Sequence, residues 1–322
     1  MFNVPSPTST AAGKPGRWRA VLIGLAACLW SPAMVIAAVA ATPSAPEAMA
    51  ADLEHRNDRL SVEVLGAGPD VILIPGFASS REVWRREAER LSATRRVHMV
   101  QLAGFAGEPW SHDAQAPFVA PVVDALHDYI RARGLVRPAV IGHSMGALVG
   151  LRLALAYPDS IGRLLSVDSL PFFSALYGPQ TTAETARPFA EQAAAGMLST
   201  PEAAFRAQQS QTAIRLARDP ATRAAMVEWS MTSDRQALAA AIRDLMTNDP
   251  RPALPAMTTP VTALYAADAD GGAPVAWADA LWAQEYASLP NVQLVRIDDS
   301  RHFIMADQPE RFAEAVDAFL AD

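Results

Sequence analysis

Gly142-His143-Ser144-Met145-Gly146 is the stretch of this chain best suited to chemistry. A serine hydroxyl becomes a useful nucleophile when it stands clear of the backbone and has a base beside it. A sharp turn from a strand into a helix meets the first condition and strains the serine's own dihedrals. Side chains two residues before and after would collide inside such a turn, so both positions call for glycine. At ordinary Gly and Ser frequencies the pattern turns up by chance in roughly one chain in ten of this length, so its setting decides. Here Ala139-Val140-Ile141 reads as a short buried strand, and Met145 to Tyr157 as a helix stopped by Pro158. That is the order the chemistry needs.

A helix beginning at Met145 has free N–H groups and a partial positive charge at its start. An oxyanion developing beside Ser144 would find the Met145 N–H there as one donor. A second donor has to come from the loop after an earlier strand. Pro75-Gly76-Phe77-Ala78-Ser79-Ser80 occupies that place, with the Phe77 N–H as the candidate and Gly76 letting the backbone bend inward.

The base is sought among six histidines. His55 falls in a spacer, His98 inside a strand and His127 within a helix. His143 points away from the nucleophile by adjacency. His112 lies in a loop, where it is a candidate to line a pocket. His302 follows the last strand, in Asp298-Asp299-Ser300-Arg301-His302-Phe303, and a loop at that sheet edge reaches the serine; it is the candidate base. A carboxylate must then orient the imidazole and stabilise its protonated form. The end of the strand Val261 to Tyr265 offers Asp268 as the first choice and Asp270 as the alternative. Asp168, ending the strand before the helical segment, is a third possibility, and Asp298 and Asp299 read as solvated loop charges.

Strand and helix alternate around these residues at the spacing of βαβ units, which predicts a mostly parallel sheet. Ser61 to Leu65 alternates polar and apolar. Val71 to Ile74 is a continuous apolar run, as in a strand buried on both faces. Helices are expected over Arg81–Leu91, Pro121–Arg133, Ala276–Leu289 and Pro309–Leu320, and strands over Val97–Leu102, Leu164–Val167 and Val292–Ile297. Between residues 171 and 259 strand signals vanish. Thr200-Pro201-Glu202 and Asp219-Pro220 each place a cap before a proline, and Ser233 with Gln236 forms a capping box. This segment is expected to be a helical cap inserted into a core made of 60–170 and 260–322. Its methionines (Met197, Met226, Met231, Met246 and Met257) either line an adaptable apolar pocket or serve as ordinary core.

The first forty residues read as an export signal. Lys14, Arg17 and Arg19 precede an apolar run from Ala20 to Ala40, and Ala38-Val39-Ala40 fits a small-x-small cleavage site. Residues 41–59 then form a spacer. Cleavage there would change the net charge from -7 to -10, since the removed segment holds those three cations and no acids. The protein is expected to be periplasmic or secreted, with no integral membrane span in its mature form. An alternative is lipid attachment at Cys28, the only cysteine, which ends Leu25-Ala26-Ala27-Cys28. A 322-residue chain that is 51% apolar and 19% charged buries a full core and is not disordered. Its acidic balance argues against a nucleic-acid partner, and one cysteine excludes both a disulfide framework and a thiolate zinc cluster.

The G-x-S-x-G elbow at Ser144, the order serine, aspartate, histidine, the loop at Phe77 and the helical insert together resemble the α/β-hydrolase fold superfamily from about Leu60 to Ala321. The resemblance implies an eight-stranded, mostly parallel sheet and a pocket between core and cap. The chain departs from it at Ala266, where a glycine is usual after the acid-bearing strand, and at Pro75-Gly76-Phe77, where a His-Gly pair is more familiar. A serine at the elbow sets it apart from the dehalogenase and epoxide-hydrolase branches, which use aspartate there. Hydrolysis of an ester or related small-molecule acyl substrate is the expected activity, with no metal or organic cofactor needed. Acyl transfer, amide or C–C bond cleavage by the same three residues, and ligand binding without turnover, are the alternatives.

Overall fold

The computed structural model describes residues 55–321. The export signal, Cys28 and most of the expected spacer lie outside the described residues. Among the described residues eight strands form one sheet: β1 (His55–Arg56), β2 (Leu60–Leu65), β3 (Asp70–Ile74), β4 (Arg96–Leu102), β5 (Ala139–His143), β6 (Arg163–Val167), β7 (Val261–Ala267) and β8 (Gln293–Asp298), in the order β1-β2-β4-β3-β5-β6-β7-β8. The β1–β2 and β2–β4 pairs are antiparallel and every other pair is parallel. Among the described residues the first strand is His55–Arg56, inside the stretch expected to be spacer.

The inner strands show why their sequences are apolar throughout. Successive side chains point to opposite faces, so Val71 and Leu73 enter one core while Ile72 and Ile74 enter the other, all fully buried. Val140 and Ile141 divide in the same way, as do Leu164 and Leu165. One core is covered by α1 (Arg85–Leu91) and α10 (Pro309–Ala321) through Ala88, Leu91, Phe312 and Val316. The other is covered by α2 (Val119–Ala132) and α3 (Met145–Ala156) through Val122, Leu126, Leu148 and Leu151. Burying each such side chain contributes about 1.5–3 kcal/mol, and this two-sided burial holds the strand ends in place. Before α1, residues Arg81–Trp84 form a 3₁₀ turn rather than the expected helical start.

Between β6 and β7, which are hydrogen-bonded neighbours, the chain makes four helices: α4 (Ala183–Ser199), α5 (Glu202–Leu216), α6 (Pro220–Thr232) and α7 (Arg235–Thr247). Ala186, Ala190 and Ala194 recur every fourth residue on the buried side of α4, and small residues there let α4 and α7 pack closely. Asp219 caps α6 as expected, accepting from the Thr222 N–H at 2.6 Å. At α7 the cap is Asp234, which accepts from the Gln236 and Ala237 N–H groups at 2.7 and 3.1 Å. Ser233 accepts instead from the Ala106 N–H at 2.9 Å, a contact with the loop after β4 that outweighs the local capping box. Thr200 ends α4 rather than starting α5. Met197, Met246 and Met257 are buried core residues, and Met226 and Met231 are half-buried against the two cores. Among the described residues no helix is long and apolar enough to cross a membrane.

Candidate active site

Ser144 sits between β5 and α3 with φ 52° and ψ -120°, a conformation that a non-glycine residue adopts only when its surroundings enforce it. Its N–H donates to the Val167 carbonyl at 2.9 Å, and its carbonyl accepts from the Ala147 N–H at 2.9 Å. Both flanking glycines are sterically required. A Cβ on Gly142 would lie 2.4 Å from the Gly146 carbonyl oxygen, and one on Gly146 would lie 2.3 Å from the Ile74 carbonyl oxygen. The loop after β3 crosses the turn closely as well: a Cβ on Gly76 would be 3.1 Å from the Ser144 Cβ. The Phe77 backbone follows at once, and the loop turns back through Ala78 at φ 54°. Met145 opens α3, where its N–H has no acceptor within the helix.

After α8 (Val275–Glu285) and β8, His302 lies just before α9 (Ile304–Asp307). Two neighbours anchor its loop: the Arg301 N–H donates to the Asp307 carboxylate at 2.8 Å, and the Phe303 N–H donates to the Leu216 carbonyl of α5 at 3.1 Å. The His302 Nδ1 is 2.7 Å from Oδ2 of Asp168. Asp168 ends β6 in a left-handed turn (φ 46°), its own N–H donating to the Leu264 carbonyl at 2.7 Å. Its second oxygen accepts from the Ala266 N–H at 2.9 Å. The carboxylate is thereby clamped between a strand backbone and an imidazole. Beyond it, the buried Tyr286 hydroxyl donates to the Ser169 carbonyl at 2.8 Å and meets the Ser166 hydroxyl at 2.8 Å.

Asp168 therefore stands where Asp268 was the first expectation. Strand β7 runs on to Ala267, and Asp268 turns away into a bridge with Ala273. There its buried carboxylate takes Arg301 Nε at 2.8 Å and Arg218 Nη1 at 2.9 Å. Burial alone would push this carboxyl up, but the hydrogen bonds from Arg301 and Arg218 hold it below the usual carboxylate range. Asp270 is exposed and reaches Asp268 only through its own N–H, at 3.1 Å. Asp298 pairs with Arg296 at 2.6 Å. Position along the chain favoured Asp268 over Asp168, but Arg301 and Arg218 commit Asp268 elsewhere.

The other histidines are engaged away from this point. His98 is buried between Asp70 and Tyr129, His127 stacks on Tyr157, and His112 meets Asp58 at 3.1 Å. His143 makes a contact that its position did not predict. Its ring leaves the serine but packs under His302, with ring centroids 4.5 Å apart and its Nε2 3.0 Å from the His302 carbonyl oxygen. Strand alternation could have indicated that His143 faces the side opposite Ser144's neighbours, though not that a loop from 159 residues away would meet it there. Tyr286 carried no recognisable signal. Among the described residues no group of three His, Cys, Asp or Glu side chains is arranged to hold a metal ion.

Residues 71–315 match the model of the Alpha/beta hydrolase family. The chain belongs to that family. This alpha/beta hydrolase is 28% identical over 267 residues to the pimeloyl-[acyl-carrier protein] methyl ester esterase of Nitrosomonas europaea, covering 80% of this chain and 98% of that protein. A protein with the same name from Aeromonas salmonicida is 34% identical over 121 residues, 36% of this chain. The chain spans 44% of that relative's length, so the likeness there is confined to one part of it. Among solved structures, a thermophilic esterase from Thermogutta terrifontis superposes with a TM-score of 0.66 at 25% identity, covering 81% of this chain and 93% of that one. The enol-lactonase from Burkholderia xenovorans shares the fold at 17% identity and a TM-score of 0.67.

Proposed function

We propose that this alpha/beta hydrolase is a serine esterase acting on a small-molecule ester through Ser144, His302 and Asp168. The observation that carries the reading is the 2.7 Å contact between the His302 Nδ1 and Asp168, made in a loop that packs directly on the residue preceding Ser144. With the Nδ1 proton held by the carboxylate, Nε2 of His302 keeps its lone pair for the serine hydroxyl. Ser144 adds to the ester carbonyl while His302 takes its proton. The N–H groups of Phe77 and Met145 stabilise the resulting oxyanion. His302 then returns the proton to the departing alcohol oxygen, leaving an acyl group on Ser144. Water releases that group by the same route. The ester, rather than amide or C–C, reading rests on relatives named for ester cleavage, including one matched over nearly its whole length. Residues 1–40, with Lys14, Arg17 and Arg19 ahead of an apolar run, support action outside the cytoplasm.

A fluorophosphonate probe tests the reading directly. It is expected to label the purified protein once per chain, at Ser144, with labelling abolished in Ser144→Ala. A folded wild-type protein that is not labelled would overturn it. A panel of nitrophenyl esters, amides and thioesters then separates ester cleavage from the other reactions open to the same three residues.

A further inference from the structure

Outside the proposed catalytic set, His143 lies between the two loops that frame Ser144. Its ring is fully buried, edge-on to Trp84 at 6.4 Å and tilted against Phe303 at 4.7 Å. Its Nε2 lies 3.0 Å from the carbonyl oxygen of His302. A carbonyl only accepts, so the proton of this imidazole sits on Nε2. The opposite nitrogen, Nδ1, is then a bare acceptor, and it is buried with no partner. It faces the loop after β3, where a Cβ on Gly76 would come within 3.0 Å of it.

An unpartnered buried acceptor is unfavourable, and leucine or phenylalanine would fill the same space without it. What the imidazole adds is one hydrogen bond, and that bond falls on the backbone of His302.

We infer that His143 is a positioning residue, which fixes the His302 loop against the Gly76 loop and keeps a neutral ring beneath the imidazole that accepts the Ser144 proton. The inference rests on the esterase reading above. Burial pushes the His143 imidazole well below its ordinary value, and the neighbouring His302 adds to the effect. Neutrality matters because His302 becomes an imidazolium during the reaction. A second cation with its ring centroid 4.5 Å away would oppose that charge. Among the described residues, the rings packed against His143 are those of Trp84, Phe303 and His302, and of these His302 alone is titratable.

Two variants and one measurement on the wild type test this. His143→Leu removes the donor, and His143→Gln places an amide N–H near the position of Nε2. Turnover of a short-chain nitrophenyl ester and the rate of fluorophosphonate labelling of Ser144 are followed in each. A misplaced base is expected to lower kcat in His143→Leu by roughly 10- to 100-fold, with KM within about twofold, and His143→Gln is expected to recover most of the loss. Equal kcat in wild type and His143→Leu, or a loss in His143→Gln as large as in His143→Leu, would overturn the inference. Failure of the wild type to label would instead overturn the esterase reading. Should His143→Leu not fold, ¹⁵N spectra of the histidine rings in the wild type decide the matter. The inference requires His143 to stay in the Nε2–H form between about pH 5 and 8; titration in that range, or an Nδ1–H form, contradicts it.

Discussion

Replacing Asp168 by asparagine isolates what its carboxylate does. The side chain makes two contacts of different kinds. One oxygen accepts from the Ala266 N–H at 2.9 Å, and the other faces the His302 Nδ1 at 2.7 Å. Asparagine has the same shape and tolerates the left-handed backbone at φ 46°. It has only one acceptor oxygen, and the Ala266 N–H can only donate, so that oxygen must remain on Ala266. The amide NH₂ then faces His302 and donates to Nδ1. The imidazole proton is driven to Nε2, the nitrogen required to take the serine proton, and the base is disabled without being moved. Locking a catalytic histidine in the wrong tautomer costs about 10⁴-fold in kcat, or about 5.4 kcal/mol of barrier. Asp268→Asn provides the contrast. It weakens the contacts to Arg301 and Arg218 but leaves the His302 partner in place, so kcat should fall by less than about tenfold. Nitrophenyl ester kinetics on both variants, with thermal melts to verify folding, give the comparison. An Asp168→Asn enzyme within tenfold of wild type, or an Asp268→Asn enzyme that falls as far as Asp168→Asn, would refute this assignment of the acid.

Other consequences follow from the same geometry. Gly142→Ala and Gly146→Ala each push a Cβ to within 2.4 and 2.3 Å of a backbone carbonyl oxygen, so neither should yield a correctly folded elbow; fluorophosphonate labelling of soluble protein checks this. Tyr286→Phe leaves the Ser169 carbonyl and the Ser166 hydroxyl without their buried partner, and urea unfolding should show a loss of about 1–3 kcal/mol. Stability should also fall on acidification. His143 is held neutral with its pKa well below 6.5, so the unfolded chain binds the extra proton, and stabilisation present above pH 6.5 is lost as pH drops below it. The loss from this one group is at most about 1.4 kcal/mol per pH unit. His55, also lowered by burial, acts in the same direction, so the difference in denaturation slope between wild type and His143→Gln is the informative quantity.

Much of this molecule was legible from local pattern. The two glycines around Ser144, the apolar run at Val71–Ile74 and the strand–helix alternation each follow from short-range sterics or from burial on one or both faces, and these operate within a few residues. The sheet and its buried strands came out as expected for that reason. The N-cap of α7 did not: Ser233 and Gln236 satisfied the capping rule, yet the loop after β4 claimed the serine and Asp234 took the cap. The partner of His302 was beyond reach for the same kind of reason. Asp168 and Asp268 each follow a parallel strand, and local position favoured Asp268. The choice depends on Arg218 from the helical insert and Arg301 from the histidine loop converging on Asp268, 50 and 33 residues away in sequence, while Ala266 supplies a donor to Asp168. Sequence alone identified which chemical groups are present and which stretches must be strand or helix. Which carboxylate is left free to hold the imidazole is a matter of long-range charge pairing, and only the assembled chain decides it.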